Sequence, residues 1–348
     1  MGVKKIIKKN EILYFWARVF QNSKKKEFRR WIIDIIEHPA LVRIDNKGEL
    51  FPDKLVYFVD IDDQRNNSGF FALWNNSIKR LWLANRLQAV PVIRWRNTAY
   101  SLNENENVFE NYFLQPGNVT CTEALKCSNL VMSKSSDGFC NIEGFIYDEQ
   151  EEYFSSVISL CKRYLRLVPQ IEEQINTAQR ALLPSSDVLG IHVRGTDFKM
   201  GLKGHPLRVL FEEYIEEAKR KMEETKVKYI FLATDDKAAL QLFQEEFGDK
   251  LLFYSDSFYG EGSIGLHYTV NERSRHRFLL GYEVIRDVYT LASCQYLIAG
   301  LSHVSFASRV INKAFKEPYK QVWIINKGIN KTGITSKQVN KKYLERYF

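Results

Sequence analysis

A chain of 348 residues and 40.8 kDa, 45% of them hydrophobic, is too long for one ordinary core and too apolar for disorder. Two α/β lobes are the natural expectation. The net charge of +8 favours a polyanionic partner such as a nucleotide phosphate or an anionic membrane surface. No long basic stripe accompanies it, so nucleic acid is not expected. The five cysteines (Cys121, Cys127, Cys140, Cys161 and Cys294) form no CxxC pair and lack zinc-like histidine spacing, and they read as reduced thiols.

In chain order, the start flanks Ile12 to Phe20 with lysines and arginines. This is the pattern of an amphipathic surface helix, either docked on the protein or lying on a membrane. No apolar run reaches the roughly 20 residues of a membrane span, and no signal peptide is visible. LVYFVDID (55–62) has strand length and composition. Helical spacing follows at Phe71, Leu73, Trp74, Ile78, Leu81, Trp82 and Leu87, and then a second strand, AVPVIRW. In this βαβ unit Ser68 and Gly69 stand at the helix entrance, where free N–H groups can bind an anion, although a plain Asn/Ser/Gly turn explains the loop alone. Residues 103–111 are polar and acidic, as expected of a surface excursion. Residues 150–182 read as a helical connector broken at Pro169.

The second half alternates strand and helix more clearly: strand 188–193, helix near 210–224, strand KYIFLATDD and helix near 238–247. Strand KLLFYSD, helix LLGYEVIRDVYTLASC, strand QYLIA, helix after GLSHVS, strand VWIIN and a basic terminal helix complete it. This predicts a mostly parallel, doubly wound sheet. The expected division is 1–182, 183–320, and a terminal strand and basic helix over 321–348.

Three strand exits carry polar groups: His192, Arg194 and Asp197; Thr234, Asp235 and Asp236; and Ser302, His303 and Ser305. One such exit is unremarkable, since Asp236 or Ser302 alone suits a helix N-cap. Three of them brought to one edge by parallel strands predict a ligand crevice. An arginine beside a helix N-terminus suits a pyrophosphate, with the N–H groups of Val304 and Ser305 as further donors. Asp287, mid-helix between apolar neighbours, is either a carboxylate for the N–H edge of guanine or an ordinary i,i+4 or solvent-facing acid. There is no Walker loop, GxGxxG or DxD. Asp60 and Asp62 in IDIDD come nearest to a metal pair, and a strand terminus with a turn acid explains them as well.

IHVRGTD, YIFLATDD and GLHYTVNERSR…GYEVIRDVYTLASCQYLIAGLSHVSFASRV, in that order over residues 186–312, resemble the fucosyltransferase superfamily with the HxRxxD-type motif. The pattern is most similar to core α1,6- and nodulation fucosyltransferases, and NNSGFFALWNN is similar to a first-lobe glycine loop. The resemblance implies a GT-B-like fold of two Rossmann-like lobes around a cleft. It also implies inverting, metal-independent transfer from GDP-fucose to a glycan hydroxyl, with no cofactor. By position, Arg194 is the implied pyrophosphate ligand and His192 and Asp287 the guanine contacts. Ser302 or His303 stands at the phosphates, Ser68, Gly69 and Phe70 approach from the other lobe, and Asp235 and Asp236 form the acidic pair at the site edge. Gly195 stands where close relatives carry a second arginine, and Met200, Gly201 and Leu202 stand near where they carry a glutamate. His205 is the first candidate for the catalytic base and Asp197 the second, the latter also suited to holding Arg194 or His192. A cytoplasmic enzyme, peripheral to the membrane and acting on a glycan or lipid-linked oligosaccharide, fits these features. The alternatives are another nucleotide sugar, or a non-catalytic nucleotide- or glycan-binding scaffold.

Overall fold

The computed structural model describes residues 11–26, 28–29, 43–64, 67–104, 106–134, 137, 151–185, 187–195, 197–262, 265–269, 271–335 and 338. The expected terminal basic helix lies outside the described residues. Two sheets organise the rest. In the first lobe, β2 (Val56–Asp62) pairs in parallel with β3 (Val90–Arg96) and with β4 (Leu130–Met132). The two-residue β1 (Ile44–Asp45) runs antiparallel along β4. Helix α2 (Phe70–Arg86) crosses from β2 to β3 with Phe71, Leu73, Trp74, Ile78 and Leu81 buried, as their spacing predicts. An exposed helix, α1 (Glu11–Asn22), precedes the sheet, and a single turn, α3 (Cys121–Ala124), precedes β4.

The second lobe holds five parallel strands in the order β7-β6-β5-β8-β9. They are β5 (Val188–Val193), β6 (Tyr229–Thr234), β7 (Leu251–Leu252), β8 (Tyr296–Gly300) and β9 (Gln321–Ile325). Their sequence order reverses between β5 and β8. This is the switch point at which the carboxyl ends of neighbouring strands open a crevice. The crossovers are α6 (Phe211–Thr225), α7 (Lys237–Phe247), α8 (His276–Leu291) and α9 (His303–Phe315). The architecture is the two-lobed, GT-B-like α/β fold. Strand β9 completes the second sheet against β8 instead of standing apart from it.

The connector forms α4 (Glu151–Tyr164) and α5 (Pro169–Leu182), with Pro169 in the first turn of α5, where its missing N–H costs nothing. The lobes share one apolar core. Tyr153 of α4 stacks on Phe306 of α9 at 6.0 Å, and Tyr112 stacks on Phe278 at 5.2 Å. Tyr112 also donates to the Phe278 carbonyl at 2.8 Å, and a Cβ on Gly281 would sit 2.3 Å from its hydroxyl. Only glycine lets the lobes approach this closely there.

One expectation fails here. Residues 103–111 are not simply a surface excursion: a 3-10 turn at Val108–Asn111 sinks Val108 and Phe109 completely into the core. Asn107 accepts from the Trp95 N–H and donates to the Ile93 carbonyl, so the polar residues serve the backbone of the edge strand β3.

Candidate active site

A cavity of about 640 Å³ opens between the lobes at the carboxyl ends of β5, β6 and β8. His192, the fifth residue of β5, is 5% exposed, and its Nδ1 lies 3.4 Å from Ser302 Oγ. Burial, with the Arg194 charge adding, lowers its pKa to about 3, so the imidazole is neutral at ordinary pH. Arg194 follows where the strand ends. Its Nη1 donates to Asp235 Oδ2 at 2.7 Å, and the Gly195 N–H donates to Asp235 Oδ1 at 2.9 Å. Asp235 thus orients the guanidinium from the end of the neighbouring strand. The Asp197 backbone lies in a 3-10 turn, Asp197–Met200, and its side chain is outside the described part of the structure.

Helix α9 aims its N-terminus at the same space. Ser302 and Ser305 form a capping box: the Ser305 N–H donates to Ser302 Oγ at 3.0 Å and the Ser302 N–H to Ser305 Oγ at 3.1 Å. The Ser305 N–H is therefore spent on the cap. Ser305 is 2% exposed and donates to the Gly300 carbonyl at 2.8 Å, so it holds the helix start and does not line the cavity. Val304 does line it, and its N–H takes no part in the box. His303, also in the wall, is held neutral by burial, with a pKa near 3.

Asp236 is likewise turned away from the cavity. Its Oδ1 accepts the Ala238 and Ala239 N–H groups at the start of α7, and its other oxygen pairs with Lys199. The Asp235–Asp236 pair therefore divides its labour, one carboxylate on the arginine and one on a helix cap. The same cap explains Gly195. A Cβ there would lie 2.2 Å from Asp236 Cβ, so no larger residue fits while the cap stands. Gly195→Ala is expected to cost about 1–3 kcal/mol by overpacking, read as a lower urea midpoint at unchanged slope; a shift within error would remove this account.

From the first lobe, Ser68, Gly69 and Phe70 reach the cavity wall as expected, but two of them are engaged. The Ser68 N–H and hydroxyl both donate to buried Asp63, at 2.6 and 2.8 Å. The Phe70 N–H donates to Tyr100 Oη at 2.8 Å, and its ring is in the core. Gly69, the N-cap of α2, has open space beside its Cα for at least 4 Å and presents bare backbone to the cleft. The carboxylates of IDIDD are likewise accounted for. Asp60 accepts from Arg94 and Arg96, and Asp62 pairs with Arg96. Among the described residues no group of three or more His, Cys, Asp or Glu could hold a metal.

Asp287 on α8 lines the cavity and is half-buried. Desolvation, with Glu283, Asp256 and Asp235 nearby, raises its pKa to about 7. In the loop after β7, sequence spacing marks no single residue as a ligand contact. Ser257, Phe258, Leu266, His267 and Tyr268 nonetheless form one wall. Arg286 clamps this loop through Asp256 at 2.8 and 3.0 Å and through Ser257 at 2.9 Å. His205 and Leu202 complete the opposite side.

The family model for alpha-(1,6)-fucosyltransferase N- and catalytic domains matches residues 152–316, which contain all three strand exits. This matched region, a little under half of the chain, is similar to the catalytic region of alpha-(1,6)-fucosyltransferases. The match indicates a glycosyltransferase. Among solved structures, it is similar to a NodZ alpha-1,6-fucosyltransferase soaked with GDP-fucose, with 16% identity, 74% of this chain and 92% of that one covered, and a TM-score of 0.45. NodZ from Bradyrhizobium, in another structure, shows 15% identity, the same coverages and a TM-score of 0.45. POFUT1 in complex with GDP-fucose shows 12% identity, 78% and 98% coverage, and a TM-score of 0.47. Within residues 152–316, the cavity wall lies where the strand order predicts a crevice.

Proposed function

We propose that this fucosyltransferase-like enzyme transfers fucose from GDP-fucose to a glycan hydroxyl, with inversion and without a metal. The observation that carries the reading is Arg194, pinned by Asp235 and set against the tip of α9 in the inter-lobe cavity. As the sugar C1–O bond breaks, negative charge grows on the β-phosphate. A fixed guanidinium, the Val304 N–H and the positive end of the α9 dipole are suited to stabilise it. His192 and Asp287, both in the cavity wall, are suited to contact the guanine. His205 is suited to take the proton of an acceptor hydroxyl arriving from the opposite face, with Asp197 as the other candidate.

A donor screen in the presence of EDTA tests this. Turnover of GDP-fucose, and not of UDP-sugars, is expected to survive chelation, and linkage analysis of the product should show the inverted anomer. Equal use of a UDP-sugar would favour the same fold with another donor. GDP binding without any turnover would favour a non-catalytic scaffold, the reading to which Gly195 and the Met200–Gly201–Leu202 stretch lend support.

The acceptor side is proposed to be a glycan or lipid-linked oligosaccharide of a surface polysaccharide, met at the cytoplasmic face of a membrane. Helix α1 supports this placement. Trp16 and Phe20 are 57% and 80% exposed, beside Arg18 and the exposed Lys24, Lys25 and Lys26. Co-sedimentation with phosphatidylglycerol vesicles is expected, and the double variant Trp16→Ser, Phe20→Ser should abolish it. Equal binding to neutral phosphatidylcholine would contradict an electrostatic contribution.

A further inference from the structure

We infer that residues 326–334, beyond the last strand, act as a strap that positions the cavity loop 200–207, and that Asn330 is its positioning residue. Five hydrogen bonds join the two segments. The Leu207 N–H donates to the Gly328 carbonyl at 2.8 Å and the Asn330 N–H to the His205 carbonyl at 2.8 Å. The Gly204 N–H donates to the Asn330 carbonyl at 2.8 Å and the Lys203 N–H to the Ile334 carbonyl at 2.9 Å. The Asn330 side-chain amide donates to the Gly201 carbonyl, while its oxygen accepts from the Thr332 N–H at 3.2 Å. Pro206 and Ile329 meet in an antiparallel bridge. At its outer end the strap is anchored by Lys327 on Glu213 of α6 at 2.5 Å.

The loop needs this support. Between the 3-10 turn ending at Met200 and the start of α6, no residue belongs to a helix or strand, yet Met200, Leu202 and His205 all line the cavity. Lys199 pins its near end through Asp236 and the Gly262 carbonyl. The strap pins the rest. Asn330 is the one strap residue whose backbone and side chain both bond to the loop, so the placement of His205 depends on it. A small displacement of a positioned group costs rate without costing affinity for a ligand held elsewhere.

The inference rests on the reading of this cavity as the transfer site, and its test separates the two. In the full chain, Asn330→Ala is expected to lower kcat for GDP-fucose about tenfold and to raise the rate of trypsin cleavage after Lys203 to a similar degree. GDP affinity should stay within about twofold, because Arg194 and Asp287 do not touch the strap. Thr332→Ala, which leaves the bond to Gly201 in place, should behave as the parent protein. The cleavage rate needs no turnover, so it reports on the strap even if the donor is not GDP-fucose. Unchanged cleavage would overturn the strap. Faster cleavage with unchanged kcat would overturn its role in transfer. A parallel loss of GDP affinity would show general damage to the site and overturn it as well. Loss of kcat in Asn330→Ala but not in His205→Ala would keep the strap while removing His205 as the base.

Discussion

Arg194→Ala is expected to lower kcat by about a hundredfold to a thousandfold, with a smaller loss in GDP affinity. The effect is large because the guanidinium does two things at once. One N–H holds Asp235, and the side chain lines a cavity in which it is the one arginine or lysine among the described lining residues. Charge that develops only as the leaving group departs is met by a cation that needs no reorganisation, so the loss falls mainly on kcat. Arg194→Lys should rescue little, because an ammonium cannot serve Asp235 and a phosphate with the same fixed geometry. Single-turnover rates and GDP titrations, with thermal melts as a folding control, check this. A variant that folds and turns over normally would end the proposal that this arginine carries the leaving group.

Asp287→Asn is expected to weaken GDP binding about tenfold to a hundredfold at pH 8, the usual worth of hydrogen bonds to a charged group. Its pH dependence is the sharper test. The free carboxyl has a pKa of about 7 because burial disfavours its charge. Two N–H donors of guanine bind the ionised form, so the complex holds this pKa lower than the free protein does. Below pH 7 binding must then release a proton, and affinity should fall by about tenfold per pH unit. Asp287→Asn should flatten that profile. A flat profile in the parent protein would remove Asp287 from the base contact.

The same shift gives a sign for stability without ligand. A carboxyl whose folded pKa is raised stabilises the fold at low pH, and that contribution is lost as pH rises through about 7. His192 and His303 act in the opposite direction. Their folded pKa values are lowered to about 3, so below their ordinary 6.5 the unfolded chain takes up protons that the folded chain refuses. Stability from this source falls as the pH drops from 6.5 towards 3. GDP should therefore raise the melting temperature more at pH 8 than at pH 6.

The helices of the second lobe and its strands β5, β6, β8 and β9 were legible because each is long enough to show its own pattern, while β7 keeps only two residues of the expected strand KLLFYSD. Val188–Val193 alternates faces, and α8 and α9 bury regular apolar stripes. The crevice was legible as well, since parallel strands place His192, Arg194, Asp235 and Ser302 at one edge whatever the details. Shorter pieces escaped. Strand β4 has three residues and β1 has two, too few to declare a period, and the polar run before Val108 hid two fully buried side chains.

What each polar residue at the edge does was decided by tertiary structure. Serine and aspartate at a helix start serve equally as caps or as ligand contacts, and local spacing does not separate the two. Ser305 and Asp236 cap, Ser68 serves Asp63, and Asp235 holds Arg194. Gly195 was conspicuous by its position, but its reason lies across the sheet in the Asp236 side chain. The pairing of Asn330 with His205 joins segments 125 residues apart, and neither segment carries a local signal for the other. Periodicity and strand direction are properties of a short stretch of chain and can be read there. The partner of a polar atom is a property of whatever the fold brings within 3 Å of it.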